Sequence, residues 1–191
     1  MAVRKFFLKE ICEIRTGYQG RKEEGDLYKL INPTELSNNG LIDLENAKEF
    51  GNNYIDSKFI LKHEEILFKA KSSNYTASVF KGKFENLVPS VHFFILNIKE
   101  NLKEEVLPDY ISWYLGEEKA QKHFKALATG MAMATVRKSD LEELIVTIPP
   151  LDIQKKIAKV QELFRKEKFL LEELVALREK QIKSTLHNLI K

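Results

Sequence analysis

IPPLDIQKKIAKVQELFRKEKFLLEELVALREKQIKSTLHNLIK, residues 148–191, reads as one long helix. A double proline opens it. Proline at the first helical position loses nothing, because the N–H there has no intrahelical partner. Beyond Pro150 there is neither Pro nor Gly, and good helix formers (Leu, Lys, Glu, Gln, Arg) dominate. About 40 residues at 1.5 Å rise make a rod of roughly 60 Å. Ile153, Ile157, Val160, Phe164, Leu171 and Leu174 mark one face. Leu163, Leu170 and Leu177 widen it, and Ile182, Leu186 and Leu189 continue it after a slip in register. Glu167 interrupts strict heptads. A stripe this long wants cover. Either the helix folds back on its own domain, or it pairs in a coiled coil with another long helix, from a second copy or another protein.

Outward from the rod, residues 1–148 read as one globular domain and 149–191 as its appendage. Residues 3–14 begin extended and turn helical, with Gly17 as a stop. Leu27–Ile31 is a strand ended by Asn32-Pro33, and Asn38-Asn39-Gly40 is a turn signal. Glu65–Ala70, Thr76–Phe80 and Leu87–Ile98 are further strands. In the last, Val91, Phe93 and Ile95 alternate with His92, Phe94 and Leu96, so both faces are apolar, as in a central strand. Pro108 opens a helical segment that breaks at Gly116 and resumes through Phe124 and Leu127. Ser139–Glu142 is a helix start, and Leu144–Ile148 is the last strand. Strands fill the first half and helices the second, which makes the fold class α+β.

Composition narrows the function. The chain has 191 residues, 43% hydrophobic, enough for a core. One cysteine, Cys12, allows no internal disulfide and fits a reducing compartment. His63, His92, His123 and His187 are scattered singly, so no metal site is expected. No apolar run reaches the ~20 residues of a membrane span, and a cytoplasmic protein without membrane partners is expected. Net charge is +3 and the pI about 8.8. That permits nucleic-acid binding, but a strong footprint would exceed a pI of about 9. Any charge for DNA is then concentrated locally or supplemented by a partner. Hydrolase, zincin, P-loop and dinucleotide motifs are missing from the sequence, as are the tetrad and glycine motif of an amino-methyltransferase. Binding, without a catalytic residue or a cofactor of its own, is the expected role.

Two polar loops carry the binding chemistry. Residues 16–26, TGYQGRKEEGD, are either a solvated connection or a mobile platform that presents Tyr18, Gln19, Arg21 and Lys22 on glycine hinges. Gln can bond adenine twice and Arg can bond guanine twice in the major groove. Residues 71–78, KSSNYTAS, are rich in donors and acceptors. Residues 128–136 are small and flexible.

Several segments together resemble the specificity (S) subunit of type I restriction-modification systems. Residues 135–157 match a junction of the form D-L-x-x-L-x-[IV]-x-x-P-P-L-x-x-Q-x-x-I, through Asp140, Leu141, Leu144, Pro149, Pro150, Leu151, Gln154 and Ile157. Ile153 stands where the family usually has Glu. Ile11–Gly17 is similar to the family's opening helix and glycine, and Glu65–Ala70 to its D-I-L-F strand, without the usual following Gly. The helix from Pro108 and the Thr129-Gly130 loop fall where the family has them.

The resemblance implies a non-catalytic DNA-recognition protein. Full-length members carry two recognition domains and two long helices, so this chain looks like a half-subunit. Two copies, paired through Ile153, Ile157, Val160, Phe164, Leu171 and Leu174, would read an interrupted palindrome. Loops 16–22 (from Thr16 and Gly17 onward) and 69–75 would approach double-stranded DNA, with loop 128–137 nearby. Tyr18, Gln19, Arg21, Ser72, Ser73 and Asn74 would face base edges. Lys22, Lys69, Lys71, Lys81, Lys83 and Arg137 would face phosphates. The implied partners are a DNA adenine methyltransferase subunit, which holds S-adenosylmethionine, and a restriction subunit. Two alternatives are a coiled-coil adaptor that has lost DNA reading, and a detached recognition domain of a single-chain enzyme.

Overall fold

The computed structural model describes residues 3–190 except 21–23, 38–39, 45–46, 52, 72–74, 83 and 128–134. Its centre is a four-stranded antiparallel sheet. β2 (Cys12–Thr16), β8 (Phe93–Ile98), β5 (Ile66–Lys69) and β6 (Ala77–Val79) lie side by side in that order. β8 is the hinge of the register: Thr16 lies opposite Phe94, and Lys69 opposite Phe93.

Alternation along these strands feeds two cores. Phe94, Leu96 and Ile98 of β8, with Cys12 and Ile14 of β2 and Ile66 and Phe68 of β5, face a helical layer. That layer contains α2 (Pro108–Gly116), α3 (Glu118–Leu127) and α4 (Lys138–Glu142). Phe93, Ile95 and Leu67 face the other way, onto Ile31, Leu61, Phe80 and Leu87. Both faces of β8 are thus buried, as its doubly apolar pattern predicts. A second sheet lies beyond. β4 (Lys48–Phe50) and β7 (Leu87–Pro89) flank β3 (Tyr28–Ile31), with β3 and β7 parallel. A two-stranded ribbon pairs β1 (Arg4–Phe7) with β9 (Ile145–Ile148). Tyr110 and Tyr114, one turn apart on α2, tie that ribbon to the helices. Their hydroxyls donate to the Thr147 and Ile145 carbonyls.

Two sequence expectations are corrected. The helix expected up to Gly17 is a single turn, α1 (Leu8–Ile11), closed at its start by the Glu10 carboxylate accepting the Phe7 N–H at 2.7 Å. From Cys12 onward, alternating burial and the ladder with β8 make the chain a strand. The single strand expected over Leu87–Ile98 is two strands in two sheets. The turn at residues 90–92 carries the chain from one sheet to the other.

The long helix is present as α5 (Leu151–Leu189), 39 residues. Its first turns dock on the domain through the fully buried Gln154 and the half-buried Ile157. From Lys166 to Ile190 every residue is exposed. Among the described residues no helix is long and apolar enough to cross a membrane.

Candidate nucleic-acid interface

β2 and β5 run in the same direction and flank the first residues of β8. The segments that follow β2 and β5 therefore emerge at one edge of the central sheet, beside the turn that precedes β8. Backbone bonds stitch them together there. The Gly17 N–H donates to the Phe93 carbonyl at 3.0 Å, and the Tyr18 N–H to the Pro89 carbonyl at 2.7 Å. On the other side, the Ala70 N–H donates to the His92 carbonyl at 3.0 Å, and the Val136 N–H to the Ala70 carbonyl at 2.9 Å. Lys71 bridges Thr135. Topology thus gathers the described parts of three predicted loops, which are 40 to 120 residues apart in sequence by rough count, onto one rim.

The side chains at this rim divide by role. Thr16, Gln19, Lys71 and Arg137 are exposed. Gly17 is buried, and a Cβ there would lie 2.1 Å from the Ser90 carbonyl oxygen and 2.6 Å from that of Pro89. Its function in the rim is close backbone approach. Tyr18 is half-buried, with its ring 5.4 Å from Phe59 and 5.9 Å from Phe50, so it fastens the loop to the second sheet. The Lys69 ammonium donates to the Pro33 carbonyl at 2.9 Å and is drawn toward the β3 side. Lys81 is not at the rim: it pairs with Asp109 at 2.7 Å, in the groove beside α5. Arg21, Lys22, Ser72, Ser73, Asn74, Lys83 and residues 128–134 lie outside the described residues.

His92, one of the four singly scattered histidines, sits half-buried between the two stitched loops. Its place, three residues after a proline and directly before an apolar strand, is the signal that marks a turn at the rim. Behind the rim, Arg15 and Glu65 fix β2 to the start of β5. Among the described residues no group of three or more His, Cys, Asp or Glu could hold a metal ion.

The predicted pairing face of α5 is largely uncovered. Val160, Phe164, Leu171 and Leu174 are each more than half exposed, and Ile153 partly so, whereas Ile157 packs on the domain core. Leu163, Leu170, Leu177, Ile182, Leu186 and Leu189 extend the exposed stripe to the helix end. A contiguous apolar face of this length is uncommon on an isolated monomer.

A family model for the type I restriction modification DNA specificity domain matches residues 2–179. The chain belongs to this family. A putative type I restriction enzyme specificity subunit, MjaX, from Methanocaldococcus jannaschii is 25% identical over 165 residues, covering 80% of this chain and 37% of the relative. Among solved structures, the S subunit from M. genitalium superposes with a TM-score of 0.61 at 20% identity, over 94% of this chain and 43% of that one. The HsdS subunit from Thermoanaerobacter tengcongensis gives 0.56 at 13%, over 90% and 39%. A chain from a type I R-M system studied for its assembly and conformational transition gives 0.62 at 14%, over 95% and 43%. These likenesses show a shared fold. The chain spans about two-fifths of the length of the relatives it matches.

Proposed function

We propose that this chain reads DNA sequence for a type I restriction-modification system, as one of two copies joined through α5. The observation that carries the reading is the pairing of two features on one chain of this family. One is a rim where separate loops converge with exposed Gln19, Lys71 and Arg137. The other is an uncovered apolar helix face suited to a second long helix. Gln19 and the residues around it contact base edges, and Lys71 and Arg137 contact phosphates. Two copies related by a two-fold axis read two half-sites of an interrupted palindrome. Methyl transfer to adenine, with S-adenosylmethionine, and cleavage belong to partner subunits, and this chain supplies no catalytic group.

Light scattering on the purified chain tests the pairing. A particle near twice 22.2 kDa, reduced to monomer by Leu171→Glu with Leu174→Glu, is expected. Selection from a random duplex library then tests reading, and two inverted half-sites at fixed separation are expected. A monomer throughout, or no enrichment with the methyltransferase subunit present, would overturn the proposal.

A further inference from the structure

Among the described residues, Gln154 and Arg165 of the long helix hydrogen-bond backbone carbonyls or amides of the domain. Gln154 is fully buried on the first turn of α5. Its Nε2 donates to the Glu105 carbonyl at 2.8 Å and to the Pro149 carbonyl at 2.9 Å. Its Oε1 accepts the Leu107 N–H at 3.0 Å. Every hydrogen-bonding group of the amide except one acceptor lone pair is used, on backbone atoms that a side-chain repacking cannot move. Arg165 lies three turns further along. Its Nη2 donates to the Ala77 carbonyl at 3.1 Å, on the outer edge of the central sheet. Gly40, at φ +76°, leaves the room: a Cβ there would sit 3.0 Å from the guanidinium carbon. Burial pulls Arg165 below its ordinary pKa while Asp109 opposes the fall, so the guanidinium is substantially desolvated. Beyond it α5 is exposed to its end.

Two fixed points define a direction. The points lie 11 residues apart, about 16 Å along the axis. We infer that Gln154 and Arg165 form a two-point clamp that sets the angle between the DNA-reading domain and the rod, and thereby the half-site separation that a paired molecule accepts. The inference rests on the paired-reader function above. The lever makes the angle consequential. A domain of about 150 residues is roughly 30 Å across. A tilt of about 10° moves its far rim by about 5 Å, and a symmetric pair by about 10 Å, near three base pairs at about 3.4 Å each. Gln154 and Ile157 seat the first turns of α5, and Arg165 holds the rod to the sheet edge three turns further on. Both are positioning residues and neither touches DNA.

Electron-spin distance measurement tests the clamp directly. Labels go on Glu49→Cys of β4 and Glu173→Cys of α5, both at exposed positions, in labelled chain diluted with excess unlabelled chain; the buried Cys12 stays unlabelled. The unaltered clamp gives one narrow distance. Arg165→Met, which keeps length and loses the bond, shifts or broadens it by about 5 Å. Gln154→Ala is the second variant. In parallel, binding is compared across duplexes whose half-sites differ in spacing. Discrimination of roughly tenfold against spacings two base pairs off the optimum falls to about threefold or less in Arg165→Met, at unchanged affinity for a single half-site. An unchanged distance distribution in both folded variants overturns the clamp. A broadened distribution with unchanged spacing discrimination overturns its link to spacing. If the unmutated chain fails to bind paired half-sites, the function proposed above fails with that link, and the distance measurement alone decides the clamp.

Discussion

Arg15 donates to both carboxylate oxygens of Glu65, at 2.6 Å each, across the line of β8. The two residues do more than pair. Arg15 also donates to the Lys58 carbonyl at 2.6 Å and the Ile60 carbonyl at 3.2 Å. Glu65 accepts the Lys62 N–H at 2.8 Å. One guanidinium thus anchors Lys58 and Ile60 against β2, and between them lies Phe59, on which Tyr18 of the rim rests. Glu65 is nearly fully buried, so losing its partner strands a charge in the core.

Replacing Arg15 by Met is therefore expected to cost about 3 kcal/mol, the lower end of the range for breaking a buried pair because Arg15 itself is partly exposed. Thermal unfolding should fall by roughly 10 °C for a chain of this size. Glu65→Gln retains acceptor and shape and should cost less. A loss under about 1 kcal/mol in Arg15→Met would show that the pair is merely decorative.

Gly17 makes a sharper prediction because there is no room to relax. A methyl group would meet two backbone carbonyl oxygens, and the only relief is to separate the end of β2 from the turn at 89–90. Gly17→Ala should destabilise by about 2 kcal/mol or more, read as a lower urea midpoint. It should also weaken DNA binding beyond that loss, since the rim opens there. Equal stability would mean that the turn moves freely.

The rod, the central strand and the break between α2 and α3 were legible because each rests on a local pattern. For β8 the pattern is Phe93-Phe94-Ile95-Leu96, apolar on two faces; for the break it is Gly116 followed by the extended Glu117. What the sequence hid was pairing. Cys12–Thr16 has the composition of a helix as readily as of a strand, and only the partner strand 80 or so residues away decides it. The turn at Ser90–His92 is equally non-local: Pro89 ends one ladder and Phe93 begins another. Loop position and side-chain type put Lys81 with the lysines expected to face DNA. Its bond to Asp109 depends on how α2 lies against the end of β6, which no spacing within the loop records. Gln154 was visible as part of a motif, but its three backbone partners were not.

Cys12 supplies a pH test. Burial pushes its thiol up to about 12, with Lys99 pulling weakly the other way. Below about pH 9 folded and unfolded chains both hold the proton, and the thiol contributes no pH dependence. Above that value the unfolded thiol ionises while the folded one keeps its proton, so stability falls as pH rises toward 12, by at most about 1.4 kcal/mol per pH unit. Denaturant midpoints at pH 8 and about pH 10 should separate in the parent chain and converge in Cys12→Ala, after allowing for the tyrosines that both share. A midpoint difference unaffected by the substitution would place the thiol in contact with water.

The rim assignment itself is open to a comparison of three cations. Lys71 and Arg137 are exposed where the loops converge, and Lys81 is held by Asp109 beside α5. Each phosphate contact removed should reduce the slope of log affinity against log salt by about 1. Lys71→Ala and Arg137→Ala should each do so on a random-sequence duplex, weakening binding about equally on every sequence. Lys81→Ala should leave the slope unchanged, because its charge is already neutralised away from the rim. Titration by fluorescence anisotropy between 50 and roughly 200 mM salt resolves the difference. A slope lowered by Lys81→Ala and untouched by the other two would move the DNA to the groove beside the helix. That result would remove the rim from the interface, and with it the reason for three distant loops to meet there.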